Sequence, residues 1–220
     1  PRLTRAAAAR TGHAPWAAGR YAELAIALTA LIAHRVARAE MQEADKYVEL
    51  AEQGFAHLGL ERQRMKAVLL RGEIAYESLQ YAKAATIMQR VIQFGEEIGD
   101  ASWIARGSYC RGLCELELGN LAEAVALFHG ALVIFREVGP AEDRISTEWG
   151  LARVALYGGK ASDAVRQLRD VIAAFEQIAR VANAALAGID LAEALLVRSD
   201  FEEARQEYRR AVKYDLELVQ

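Results

Sequence analysis

Gly112-Leu-Cys-Glu-Leu-Glu-Leu-Gly119-Asn-Leu-Ala-Glu-Ala124-Val-Ala-Leu-Phe128-His-Gly-Ala131 is the stretch that decides the fold of this 220-residue chain. Ala124, Phe128 and Ala131 are spaced by four and three, which sets them on one face of a helix. Gly119-Asn120 separates that helix from the one before it. Asn120 suits an N-cap, and Glu123 stands three residues later, as a capping box requires. The pattern recurs every 40 residues. Ala44, Ala84, Ala124, Ala164 and Ala204 form one column. Val48, Met88, Phe128, Leu168 and Tyr208 follow it, then Ala51, Val91, Ala131, Val171 and Ala211. Leu58, Ile98, Val138, Ile178 and Leu218 extend the apolar stripe.

Outward from this stripe the punctuation repeats too. Gly119-Asn120, Gly159-Lys160 and Ser199-Asp200 mark the turn before the second helix of each unit, and Asp200 with Glu203 repeats the capping box. The first-turn column Glu43, Lys83, Glu123, Asp163, Glu203 is mostly acidic, which suits the positive end of a helix dipole. Gly59, Gly99 and Gly139 are placed to end second helices in the left-handed conformation, with Pro140 blocking continuation. The preceding helix carries small columns: Ala27, Ala67, Gly107, Thr147, Ala187, and then Gly72, Gly112, Ala152, Ala192. Small residues let helices approach closely. No alternating β-rich stretch appears. The expectation is an all-α superhelix of about five helix-turn-helix repeats, 21–60, 61–100, 101–140, 141–180 and 181–220, with 10–11 helices. Residues 1–20 read as a leading helix or partial repeat.

The residues Gly112, Gly119, Ala124, Phe128 and Ala131, repeated as Ala152, Gly159, Ala164, Leu168 and Val171, resemble the tetratricopeptide repeat. The 40-residue period is similar to the longer repeats of kinesin-light-chain-like scaffolds and of maltose-activator-type bacterial regulators. The resemblance implies a solenoid that binds protein or peptide on a concave face lined by the first helix of each unit. On this chain that face is Ile26, Thr29, Ala33, Val36, then Lys66, Leu69, Glu73, Tyr76, then Arg106, Tyr109, Leu113, Leu116, then Ser146, Trp149, Arg153, Leu156, then Leu186, Ile189, Glu193, Leu196. Lys66, Tyr76, Arg106, Tyr109, Trp149 and Arg153 stand out, since Tyr, Trp and Arg anchor protein interfaces. Arg106 and Arg153 suit acidic side chains or a terminal carboxylate of an extended peptide. The family's large core positions fall on Ser108, Arg111 and Glu115, and on Arg71. Charged residues are poor core candidates, so a first helix rotated away from the family pattern, with part of this face buried, is the alternative.

Composition excludes other classes. A net charge of −3 lacks the basic footprint of nucleic-acid binding. The longest apolar run, Leu24 to Ala33, is too short for a membrane span. Pro1-Arg-Leu-Thr-Arg does not open a signal peptide, and two cysteines give no disulfide framework, so a cytoplasmic setting is expected. Many of the 44 alanines lie in columns where helices must touch. Cys110 and Cys114 share a helical face but lack two further ligands at metal-site spacing. His13, His34, His57 and His129 fall in different columns. Gly158-Gly159-Lys160-Ala161-Ser162 lacks the first glycine and the Ser/Thr of a phosphate loop and reads as a turn.

The expected function is therefore non-catalytic: a protein- or peptide-binding scaffold needing no cofactor or metal. The alternative is an effector- or peptide-sensing segment of a larger bacterial transcriptional or signalling regulator, which the absence of an initiator methionine suits. Leu216, Leu218 and Val219 on an uncapped last repeat predict self-association.

Overall fold

A computed structural model describes residues 41–218, and every regular element among them is a helix. In chain order these are α1 Met41–His57, α2 Glu61–Glu77, α3 Tyr81–Ile98, α4 Ala101–Glu117, α5 Leu121–Val138, α6 Ala141–Tyr157, α7 Ala161–Gln177, α8 Val181–Val197 and α9 Phe201–Leu218. Second helices begin at Met41, Tyr81, Leu121, Ala161 and Phe201, and first helices at Glu61, Ala101, Ala141 and Val181. Both series keep the period of the sequence. The expected leading segment 1–20 and the first helix of 21–60 lie outside the described residues. So do Val219 and the side chains of Leu216 and Leu218.

The chain divides into two compact units, Pro1–Ile98 and Gly99–Gln220. In the first, α2 packs on both α1 and α3. Ala44, Val48, Ala51 and Phe55 of α1 meet Ala67 and Ile74 of α2 there. In the second, each helix from α4 to α9 packs on the next. The first helices also meet one another, α4 with α6 and α6 with α8.

The alanine column explains this packing. Ala44, Ala84, Ala124, Ala164 and Ala204 are all 0% exposed, as small residues at close helix contacts should be. The next column fills the space around it. Val48, Met88, Phe128 and Leu168 are at most 1% exposed, each contributing on the order of 1.5–3 kcal/mol by burial. Phe128 is wedged between two glycines. A Cβ on Gly112 of α4 would stand 2.8 Å from its ring, and one on Gly150 of α6 would stand 2.7 Å away.

The last expected column is only partly internal. Leu58 is buried and Ile178 half-buried, but Ile98 and Val138 are 40% and 66% exposed. The reason is helix length. α1 and α7 run 17 residues and leave that position to the turn, where it folds inward. α3 and α5 run 18 residues and carry it on their outer surface. Phe55, Phe135 and Phe175, one turn earlier, close the stripe instead at 5%, 5% and 0% exposure.

The turns also differ from the simplest expectation. Gly59 and Gly99 are left-handed (φ +66° and +64°). Gly139 is extended (φ −92°, ψ 161°), because the following Pro140 disfavours helical ψ at the residue before it. Between first and second helices, residue 79, 119, 159 or 199 takes positive φ, whether Leu79, Gly119, Gly159 or Ser199. Asn120 N–H then donates to Glu115 O at 2.8 Å and Lys160 N–H to Ala155 O at 2.8 Å, a Schellman closure. Asn120 does not cap α5: its Nδ2 turns back to donate to Glu115 Oε2 at 2.8 Å. Asp100 caps α4 with its side chain, accepting from Ser102 N–H at 3.1 Å.

Candidate functional site

Arg106 and Tyr109 of α4, Trp149 and Arg153 of α6, and Leu186, Ile189 and Glu193 of α8 occupy equivalent positions on three neighbouring first helices. All keep partial exposure. The expected face is thus not turned wholly into the core. Its last column is internal in two units, where Leu116 and Leu156 are 2% and 7% exposed, whereas Leu196 is 41% exposed. In the first unit, Lys66 is exposed and Tyr76 half-buried, its ring 5.3 Å from that of Tyr81. Tyr109 tilts against Phe128, with centroids 6.1 Å apart.

The charged residues at the family's core positions are accommodated by pairing. Ser108 and Glu115 are each 8% exposed. Glu115 lies 3.5 Å from Arg111 Nε, and Arg111 Nη2 donates to Glu123 at 2.9 Å. Arg71 reaches Asp45 at 3.3 Å and Glu52 at 3.5 Å, joining α2 to α1.

Arg106 and Arg153 meet acids of the neighbouring first helices. Arg106 Nη1 donates to Asp143 Oδ1 at 3.1 Å, joining α4 to α6. Arg153 Nη2 donates to Glu117 Oε1 at 2.7 Å, and its Nε stands 3.7 Å from Asp190 Oδ2, so one guanidinium ties α6 to both α4 and α8. It also lies 5.6 Å from the Tyr157 ring centroid. Trp149 Nε1–H donates to Asp190 Oδ2 at 2.6 Å, while its ring meets Phe175 edge-on at 6.0 Å. These cations therefore stitch the face together. Asp143, Glu117 and Asp190 are the residues that reading the sequence missed. Their only signal was a carboxylate close to the face columns on an adjacent repeat.

Charge around Arg153 is lopsided. Burial disfavours its cation, but the hydrogen bond and charge interaction with Tyr157, the charge of Asp190 and the hydrogen bond to Glu117 outweigh that and hold it above the ordinary arginine range. Burial pushes the Asp190 carboxyl upward, and Glu193 and Glu117 add to this, against the opposing pull of Arg153 and the Trp149 bond. Tyr208 is raised by burial, then by Glu193 and Asp190. Glu117 and Asp190 share the one guanidinium, and Glu193 acts on Asp190 from nearby, so carboxylates outnumber cations in this part of the face.

Other chemistry is sparse. Cys110 and Cys114 are buried free thiols. Burial, with the charge of Glu115, pushes Cys114 up to about 12, far from a reactive thiolate. Among the described residues no group of three or more His, Cys, Asp and Glu is placed to hold a metal, and no helix is long and apolar enough to cross a membrane. His57 and His129 are exposed, while His13 and His34 lie outside the described residues.

The comparisons agree with this geometry. The tetratricopeptide repeat family model matches residues 100–177, which span α4 to α7. No curated protein matches the sequence. Among solved structures, BtubC (BKLC) from P. vanneervenii superposes with TM-score 0.72 at 15% identity, over 99% of this chain and 88% of that one. A kinesin light chain of Podosopora anserina with nearly identical TPR-like repeats gives 0.62 at 16% identity, over 87% and 95%. A Rap protein complexed with Competence and Sporulation Factor gives 0.77 at 13% identity, over 84% of this chain and 52% of that one. The chain thus spans about half the length of that Rap protein. Residues 100–177 thus match the tetratricopeptide repeat, and the chain shares the all-α solenoid fold of these structures.

Proposed function

We propose that this protein is a non-catalytic scaffold that binds a protein or peptide along the face formed by α4, α6 and α8. The observation that carries the reading is the apolar and acidic surface of α8 beside the braced aromatic residues of α6. Leu186, Ile189 and Leu196 are 53%, 37% and 41% exposed, next to Trp149 and the carboxylates around Arg153. Because Arg106 and Arg153 already engage acids, they serve as braces, and α8 with Trp149 and Tyr109 supplies the anchoring contacts. The local negative charge favours a partner segment with Lys or Arg beside its apolar residues. A peptide-array screen with the parent and Ile189→Glu tests this. Loss of captured peptides, with an unchanged melting curve, is expected. Equal capture by both proteins overturns the assignment of the face.

A second reading is a peptide- or effector-sensing segment of a larger bacterial regulator. It is favoured by the fold likeness to the Rap protein, which was solved with a bound factor. Self-association through the last repeat is proposed as well, since Phe201 and Val212 are 63% and 58% exposed on α9. Light scattering at tens of micromolar checks it, and a purely monomeric mass overturns it. Two buried free thiols support a reducing, cytoplasmic setting.

A further inference from the structure

The turn Gly158-Gly159-Lys160 lines one end of a cleft of about 440 Å³. Its walls come from the start of α5, the end of α6 and the start of α7, all within the second unit. The volume lies in the range of small-molecule sites, ~300–1,000 Å³. Leu121, Val125, Leu151 and Val154 make an apolar wall, and Lys160, Asp163, His129 and Gln167 supply the polar groups. Two of those groups lack partners among the described residues. Gln167 Oε1 is a buried acceptor with no hydrogen bond. The Lys160 ammonium has no ion pair. Asp163 is exposed and shared only loosely with Arg166, at 3.5 Å.

The repeat supplies an internal control. Forty residues on, His129 is replaced by Arg169 and Asp163 by Glu203, and these two form an ion pair across the equivalent junction. Leu121 and Val125 are half-buried, while their counterparts Ala161 and Val165 are 8% and 1% exposed. The later junction is bridged by its own side chains. The earlier one has a shorter imidazole in place of the bridging arginine, and it stays open.

We infer that this cleft binds a free amino acid with an apolar side chain. Its carboxylate sits against Lys160, its ammonium against Asp163 and the Gln167 amide oxygen, and its side chain on Leu121, Val125 and Val154. The site holds one cation, one anion, one unfilled acceptor and an apolar wall, which together match a zwitterion. None of its residues belongs to the protein-binding face above, so the two readings stand or fall separately.

Isothermal titration of the full chain with L-leucine tests the inference. Saturable binding is expected. Affinity should fall by about tenfold or more with Lys160→Ala, with L-leucinamide and with N-acetyl-L-leucine, because each removes a charge-assisted bond. Lys160 is exposed, and a melting curve matching the parent separates lost binding from lost folding. Absence of binding at millimolar L-leucine, an unchanged Kd in Lys160→Ala, or equal affinity for leucinamide overturns it. Tighter binding of a leucine-ended tripeptide than of leucine also overturns it, in favour of a peptide terminus.

Discussion

Trp149 and Asp190, 41 residues apart in sequence, are joined by an indole Nε1–H bond to Oδ2 of 2.6 Å that links two successive first helices. The same carboxylate faces Arg153, and the same indole rests on Phe175. One residue pair thus connects the candidate binding face to the core beneath it. Trp149→Phe keeps the ring and removes the donor. It is expected to cost about 1.5–3 kcal/mol in urea unfolding, since the lost bond is to a charged group. Trp149→Ala should cost more, because it also leaves a cavity against Phe175.

Asp190 carries a pH dependence. Its folded pKa is raised, chiefly by burial, so the fold favours the protonated form. The sign follows from linkage. This contribution to stability is fully present below the unfolded pKa and is lost as pH rises through the folded value. Asp190→Asn keeps an oxygen for Trp149 and cannot ionise. Relative to the parent, it is expected to gain stability between pH ~3 and pH 7, where the wild-type carboxyl becomes charged. Melting temperatures of both proteins across that range check this, and a parallel shift at all pH values contradicts it.

Phe128 sits where no Cβ fits on either side. Gly112→Ala or Gly150→Ala is expected to destabilise by about 1–2 kcal/mol, overpacking outweighing the gain in helix propensity. Phe128→Leu in the Gly112→Ala background should recover part of that loss. Additive unfolding energies in the double variant would disprove the contact.

Ala179 adopts φ +57° in the turn after α7, where Gly59 and Gly99 stand in the earlier repeats. A left-handed alanine is strained by about 1 kcal/mol. Ala179→Gly should therefore raise stability by roughly 0.5–1 kcal/mol, read from the denaturation midpoint. Gly59→Ala should lower it by a similar amount.

The repeat was legible in the sequence because its causes are local. Ala124 must be small and Phe128 large at a helical spacing, and Gly119 must turn the chain, in this unit as in its neighbours. The cap at Asn120 was misread for an equally physical reason. Its amide had a choice between the start of α5 and the Glu115 carboxylate, and only the folded turn brought that carboxylate within 2.8 Å. The exposure of Ile98 and Val138 depended on one extra residue of helix, which a column of apolar letters does not record.

The candidate face divides in the same way. Spacing alone placed Arg106, Tyr109, Trp149 and Arg153 on one side of successive first helices. What those residues do was decided by packing across repeats. Asp143, Glu117 and Asp190 lie 37, 36 and 41 residues from their partners, and they meet only because the first helices stand side by side. Helical periodicity is a property of neighbouring residues, so the sequence by itself determined the element type, the period and the buried stripe. Whether a charge is spent on a neighbouring helix or left for a ligand depends on distances between helices, and only the tertiary structure decided it.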